Sequence, residues 1–275
     1  MSKDYVLETI DNEKIRITTF GKLGNPCLIF VHGFKGFKDW GFNPYLAEYF
    51  AKNNFFVITF NFSLNGVGES LTEFDELDKF AQNSFSREVE ELNFLISSYR
   101  NGFFGEIDNE NKIGLLGHSR GGAVSLLTAT SNDEISAVAT WSAIAKLDRY
   151  SDRQKKEWEE KGYFEVLNTR TNQMMRMNYS FLQDIETNID GKLNLQKAVR
   201  ELNKPLFIAH GDQDLAVPID EANLIYSWAD KSQTELYIVH NTGHTFNVQH
   251  PFAGTNDKFE KLLNETNKFF IKHLN

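Results

Sequence analysis

The sequence predicts a single α/β domain, with a mostly parallel central sheet flanked by helices and one insertion. Three observations predict it. Short, almost wholly apolar runs recur at residues 27–31, 55–60 and 205–209, and such runs read as strands buried on both faces. Segments of helical periodicity separate them, an alternation that builds parallel βαβ units. A chain of 275 residues, 41% of them hydrophobic, suffices for one full core and a modest insertion.

The elements follow in order. Residues 6–10 and 15–20 alternate apolar and polar side chains around Asp11-Asn12-Glu13-Lys14, the pattern of an edge hairpin. Pro26 opens the apolar run 27–31, and His32-Gly33-Phe34-Lys35-Gly36 follows at once. Asn43-Pro44 starts a helix to about Lys52, since proline is acceptable in a first turn. The strand at 55–60 leads into a loop through Gly68-Glu69-Ser70, and Val89, Leu92, Leu95 and Ile96 keep helical spacing to about Tyr99. Apolar residues 113–116 precede Gly117-His118-Ser119-Arg120-Gly121-Gly122, and residues 123–130 continue as a helix. A short strand at 137–140 ends at Trp141-Ser142.

Residues 145–203 differ in character. Residues 148–161 are strongly charged and helical in pattern, and 163–167 can pair with 174–179 around Thr169-Arg170-Thr171-Asn172. This segment reads as a lid inserted over the carboxyl edge of the sheet, within one domain spanning 1–275. Strands at 205–209 and 236–239 resume the sheet, and Phe259, Leu262, Leu263, Phe269, Phe270 and Leu274 mark a closing helix.

Composition narrows the function. Lys and Arg total 29 against 38 Asp and Glu, a net charge of −9. Nucleic acid and anionic membranes require a basic footprint, so neither is an expected partner. The one cysteine, Cys27, excludes an internal disulfide framework and a cysteine-based zinc site, and lies in a core strand. The first residues lack the apolar stretch of a signal peptide, and no run reaches the length of a membrane span. The expectation is a cytoplasmic protein, monomeric or homodimeric, with no cofactor or metal.

The chemistry centres on Gly117 to Gly121, a G-x-S-x-G pentapeptide between a strand and a helix. A sharp turn there forces its central residue into a strained backbone and requires the flanking side chains to be nearly absent. Ser119 then stands at a helix N-terminus, where free N–H groups favour negative charge. A serine hydroxyl needs a base, and the base needs an orienting carboxylate. On an open parallel sheet these lie beyond the carboxyl ends of late strands. His210-Gly211-Asp212-Gln213-Asp214 offers two acids. Asp214 is preferred because it lies far enough past the strand to turn back, whereas Asp212 suits a turn. His240-Asn241-Thr242-Gly243-His244 offers two bases. His244 is preferred because its loop can reach Ser119, and His240 continues the strand. A tetrahedral oxyanion needs preorganised donors. The backbone N–H groups of Arg120 and Phe34 are the candidates, with His32 holding the Phe34 loop.

These motifs resemble the α/β-hydrolase superfamily. His32-Gly33-Phe34, Gly68-Glu69-Ser70, Gly117 to Gly121, Asp214 with Val217-Pro218, and Gly243-His244 fall in family order from about residue 25 to 270. In finer detail the chain is similar to the branch of cinnamoyl/feruloyl esterases and dienelactone-hydrolase-like proteins. The resemblance implies an α/β-hydrolase fold, a catalytic triad of Ser119, Asp214 and His244, and an oxyanion hole at Phe34 and Arg120. It implies a serine carboxylesterase acting on a small-molecule ester, with a peptidase, a thioesterase or a non-catalytic binding protein as alternatives. Two departures stand out: Asn61 and Ser63 replace the Asp and Arg of many relatives, and Ser119 replaces the cysteine of dienelactone hydrolases proper. The lid is the expected specificity element. Trp141, Trp158, Tyr163, Met174 and Met175 are candidates to line an apolar pocket, and Lys35 and Lys38 to meet a substrate carboxylate.

Overall fold

The computed structural model describes residues 2–70 and 72–275. Its strands are β1 (Lys3–Glu8), β2 (Lys14–Phe20), β3 (Cys27–Val31), β4 (Phe56–Asn61), β5 (Ile113–His118), β6 (Ile135–Trp141), β7 (Tyr163–Asn168), β8 (Gln173–Asn178), β9 (Leu206–Gly211) and β10 (Thr234–Val239). Eight of them form one sheet in the order β1-β2-β4-β3-β5-β6-β9-β10. β1 and β2 pair antiparallel, β2 pairs antiparallel with β4, and every other neighbour is parallel. This is the α/β-hydrolase fold. β3, β4, β5 and β9 are buried along their whole length, which is why they read as unbroken apolar runs rather than alternating ones.

The helices are α1 (Asn43–Lys52), α2 (Leu77–Gln82), α3 (Phe85–Arg100), α4 (Arg120–Ser131), α5 (Asp152–Lys161), α6 (Tyr179–Asn188), α7 (Leu195–Arg200), α8 (Ile219–Trp228) and α9 (Asp257–Leu274). α1 and α9 pack together against one face of the sheet, and α3, α4, α7 and α8 line the other. α9 starts where the Asn256 side chain accepts from the N–H groups of Lys258 and Phe259, an N-cap that satisfies otherwise unpaired donors. Gly114 lets α9 lie close on β5, because a Cβ there would stand 2.8 Å from both Phe270 and Leu274. Cys27 is fully buried in β3.

Between β6 and β9 the chain forms α5, the β7–β8 hairpin, α6 and α7. The hairpin pairs Tyr163 with Asn178 through Asn168 with Gln173, close to the register its sequence suggested. α5 begins at Asp152, not 148, because Ser151 and Gln154 close a capping box there. α2, α6, α7 and α8 had no clear signal. Two of them are six residues long, and α8 is fixed by packing on β9. No helix among the described residues is long and apolar enough to cross a membrane.

Candidate active site

Ser119 sits between β5 and α4 with φ 57° and ψ −121°, a conformation that costs free energy for any residue with a Cβ. Its N–H donates to Trp141 O at 2.8 Å, and its carbonyl accepts from the Gly122 N–H at 3.0 Å. The glycines around it are steric necessities. A Cβ at Gly117 would stand 2.3 Å from Gly121 O, and one at Gly121 would stand 2.2 Å from Val31 O. The elbow is wedged against its neighbouring strands so tightly that only glycine fits.

The loops after β9 and β10 carry the candidate acid and the candidate base. They touch closely, since a Cβ at Gly211 would stand 2.4 Å from Thr242 O. Gln213 N–H donates to Thr242 O at 3.0 Å. This contact brings Asp214 to His244, whose Nδ1 lies 2.7 Å from Asp214 Oδ2. The other carboxylate oxygen, Oδ1, accepts from the N–H groups of Ala216 and Val217, each at 2.9 Å. The Asp214 side chain is fully buried. Burial opposes its charge, but hydrogen bonds from His210 and His244 and the Val217 amide outweigh it and hold the carboxyl below the usual carboxylate range. An ionised acceptor there fixes the His244 proton on Nδ1 and leaves Nε2 as the basic nitrogen.

Two further histidines support the arrangement. His118 Nε2 donates to His244 O at 3.0 Å and so anchors the His244 loop to the elbow. Burial, together with the neighbouring His244, pushes its pKa down to about 3, so the ring is neutral. His32 Nδ1 donates to Gly33 O at 2.9 Å, and its Nε2 accepts from the Phe62 N–H at 3.4 Å. Burial lowers its pKa to about 4, and the neutral ring ties the Phe34 loop to the end of β4. Among the described residues neither Phe34 N–H nor Arg120 N–H has an acceptor, and both residues flank the serine.

Ser119 and His244 line one cleft made of two joined cavities. The smaller, about 70 Å³, lies under the Phe34 loop beside Trp40 and Asn43. The larger, about 360 Å³, is walled by Phe34, Phe85, Ile144, Leu147, Tyr150 and Val217. Among the described residues Ser119 Oγ makes no hydrogen bond.

A sequence model of the prolyl oligopeptidase family matches residues 102–275. The chain belongs to that family. No curated protein sequence matches it, but solved structures match its fold over its whole length. The α/β hydrolase GrgF from a Penicillium species is 15% identical, with a TM-score of 0.78 over 100% of this chain and 99% of that one. Est1E from Butyrivibrio proteoclasticus, solved with ferulic acid bound, is 17% identical, with a TM-score of 0.73 over 98% of each chain. The esterase domain of a Rhodothermus marinus protein is 19% identical, with a TM-score of 0.63 over the full length of both. By family and fold this member is a hydrolase.

The pocket side chains expected from the sequence lie elsewhere. Trp141 is buried behind the sheet, donates to Thr266 Oγ1 at 3.1 Å and packs on Phe42, Phe246 and Phe259. Trp158 is the centre of an aromatic cluster within residues 145–203 that is continuous with the main core. It stacks on Phe181 at 6.0 Å, touches Tyr150 and Phe164, and donates to Met177 O. Met175 is fully buried. Tyr163 packs under Arg176, and Met174 faces an outer surface beside α2. The inserted segment is large enough to need buried apolar side chains of its own, and Trp158 and Met175 are among those that supply them. Lys38 is buried and paired with Asp39. The actual cleft walls Phe85, Leu147 and Tyr150 were missed, because they come from two distant stretches with no local pattern.

The replaced pair has a local explanation. Asn61 Oδ1 accepts from the Lys38 N–H, while Ser63 N–H and Oγ donate to Glu91. Arg87 of α3 reaches the same carboxylate and also Asp11, so an arginine arrives there from a different element.

Proposed function

We propose that the protein is a serine hydrolase that cleaves carboxylic esters through an acyl-enzyme. The observation that carries this reading is the strained Ser119 at the head of α4, sharing one cleft with a histidine anchored by a buried, ionised Asp214. In this reading His244 Nε2 takes the Ser119 proton as Oγ attacks the ester carbonyl. Asp214 stabilises the imidazolium and keeps the ring in its useful tautomer. The oxyanion is met by the N–H groups of Phe34 and Arg120, at a helix end that favours negative charge. His244 then protonates the leaving alcohol, and on the return step it activates water against the acyl-enzyme.

Residues 145–203 serve as a lid within one hydrolase domain spanning 1–275. Ile144, Leu147 and Tyr150, at the head of that segment, face the cleft. The cavity of about 360 Å³ suits a short or aromatic acyl group. Turnover of p-nitrophenyl acetate and butyrate tests the reading. Ser119→Ala is expected to lose at least a thousandfold in kcat, and equal rates in wild type and variant would dispose of it. Membership of the prolyl oligopeptidase family supports peptide hydrolysis as the second reading. Aminoacyl anilides and thioesters assayed beside the esters separate the three. A fluorophosphonate that fails to label Ser119 would favour a binding protein instead.

A further inference from the structure

Four cationic side chains line the larger cavity: Lys35, Arg120, Arg149 and Arg170. No aspartate or glutamate stands in its wall or in that of the smaller cavity. Two of the four are neutralised from behind. Arg120 pairs with Glu88 at 3.1 Å and is caged by Phe34, Phe85 and Phe181. Arg149 pairs with Glu221 at 2.8 Å.

Lys35 and Arg170 have no carboxylate partner among the described residues. Their hydrogen bonds go to backbone carbonyls. Lys35 Nζ donates to Leu167 O at 3.1 Å, and Arg170 Nη2 donates to Lys35 O at 3.3 Å. These two bonds hold the turn of the β7–β8 hairpin against the loop that carries Phe34, and they leave most of each cation's donors unused. The Arg170 guanidinium lies 4.9 Å over the Trp40 ring, a cation–π contact that leaves its charge without a counter-ion. Both residues border both cavities, as Ser119 and His244 do. Burial and the nearby Arg170 both disfavour the charge on Lys35. In a chain of net charge −9, two unpaired cations held together over the nucleophile need an anion to offset their repulsion.

We infer that the cleft takes substrates bearing a free carboxylate, which Lys35 and Arg170 bind from either side of the entrance. This rests on the ester-hydrolase reading and narrows its substrate class to half-esters of dicarboxylic acids or esters of similar charge. The Arg fork matches the two oxygens of a carboxylate, and the ammonium adds a point charge.

Binding and turnover test it separately. Calorimetry on the Ser119→Ala protein compares monomethyl adipate, which keeps one carboxylate, with neutral dimethyl adipate. The half-ester is expected to bind at least tenfold more tightly, and raising salt from 50 to 500 mM is expected to erode that margin. Lys35→Gln with Arg170→Gln should abolish it, and Lys35→Arg should retain it. With Ser119 intact, kcat/KM for the p-nitrophenyl half-ester of adipate should exceed that for p-nitrophenyl hexanoate about tenfold. The double substitution should remove this preference, bringing the ratio of the two kcat/KM values to about one. Equal binding of the diester, or a preference that survives the double substitution, would overturn the inference. Selective half-ester binding with no ester turnover would instead sustain the inference and remove the hydrolytic reading beneath it.

Discussion

Replacing Asp214 by asparagine isolates the role of a single charge, because the surroundings dictate how the new amide must lie. Oδ1 accepts two backbone N–H groups, from Ala216 and Val217, both at 2.9 Å. Two donors can be met only by an oxygen, so the asparagine carbonyl must take that place. The amide nitrogen is then forced into the position of Oδ2, 2.7 Å from His244 Nδ1 and 3.4 Å from His210 Nε2. It can only donate. His244 must therefore accept at Nδ1 and carry its proton on Nε2, so it faces the serine as an acid and cannot take a proton from Oγ. Loss of the correct tautomer in a serine triad costs about 10⁴ in kcat, or about 5.5 kcal/mol in the barrier. The second effect is on stability. His210 Nε2–H donates to Val217 O at 2.8 Å and lies 3.4 Å from Asp214 Oδ2, so the buried ring would lose the anion beside it, a cost of about 1–3 kcal/mol. Steady-state hydrolysis of p-nitrophenyl butyrate, with urea unfolding as the control for folding, reads both effects. A folded Asp214→Asn protein within tenfold of wild-type kcat would refute the assignment of this carboxylate.

Other perturbations have equally definite outcomes. Gly121→Ala drives a Cβ to 2.2 Å from Val31 O and 2.5 Å from His32 O. Both are backbone atoms that cannot swing aside, so thermal unfolding should show a loss of about 3 kcal/mol or more. Acid should destabilise the protein ahead of ordinary carboxylate titration. His118 and His32 are held neutral, with pKa values lowered to about 3 and about 4, so the unfolded chain takes up protons first. Stability is fully present above the ordinary histidine pKa of about 6.5 and falls by roughly 2–3 kcal/mol per histidine between pH 6.5 and 4.5. Urea midpoints across that range should flatten in His118→Gln and stay steep if the ring is charged in the native state. Met174→Ala, on the outer surface, should leave ester turnover within twofold, while Leu147→Trp, in the cleft wall, should lower kcat/KM for aromatic acyl esters at least tenfold.

What the sequence made legible was whatever depends on a neighbour in the chain. The buried strands announce themselves because both faces are covered, and the elbow does so because Gly117 and Gly121 have no alternative. The acid and the base were harder, and the structure shows why. Each loop carries two candidates, and the candidates form two Asp–His pairs rather than one. Asp212 meets His240 at 2.9 Å, and Asp214 meets His244 at 2.7 Å. Spacing alone cannot rank them, because both pairs bridge the same two loops. Burial does. The His240 ring is 76% exposed, so water screens that pair, whereas the Asp214 side chain is fully buried and its charge acts undiluted on the imidazole. The Asp212 pair instead ties the two loops together from outside, with Asp212 Oδ1 also accepting the Asn241 N–H at 2.6 Å.

The inserted segment was misread for a related reason. Trp158, Tyr163 and Met174 look like pocket residues because they are large and lie in a region expected to cover the site. A segment of nearly sixty residues that leaves the sheet must bury apolar surface of its own before it can cover anything. Trp158 meets that need at the centre of Tyr150, Phe164 and Phe181, and Phe181 also packs on Phe85 of the main body and under Arg120. Trp158, expected to touch substrate, therefore holds the segment together, and Phe181 fastens it beside the elbow. The residues that do border the cleft stand at the segment's margins, Leu147 and Tyr150 where it leaves β6 and Arg170 at the tip of its hairpin. In the proposed reading specificity accordingly resides at the seams between the insertion and the sheet, where a change of one side chain alters the cleft.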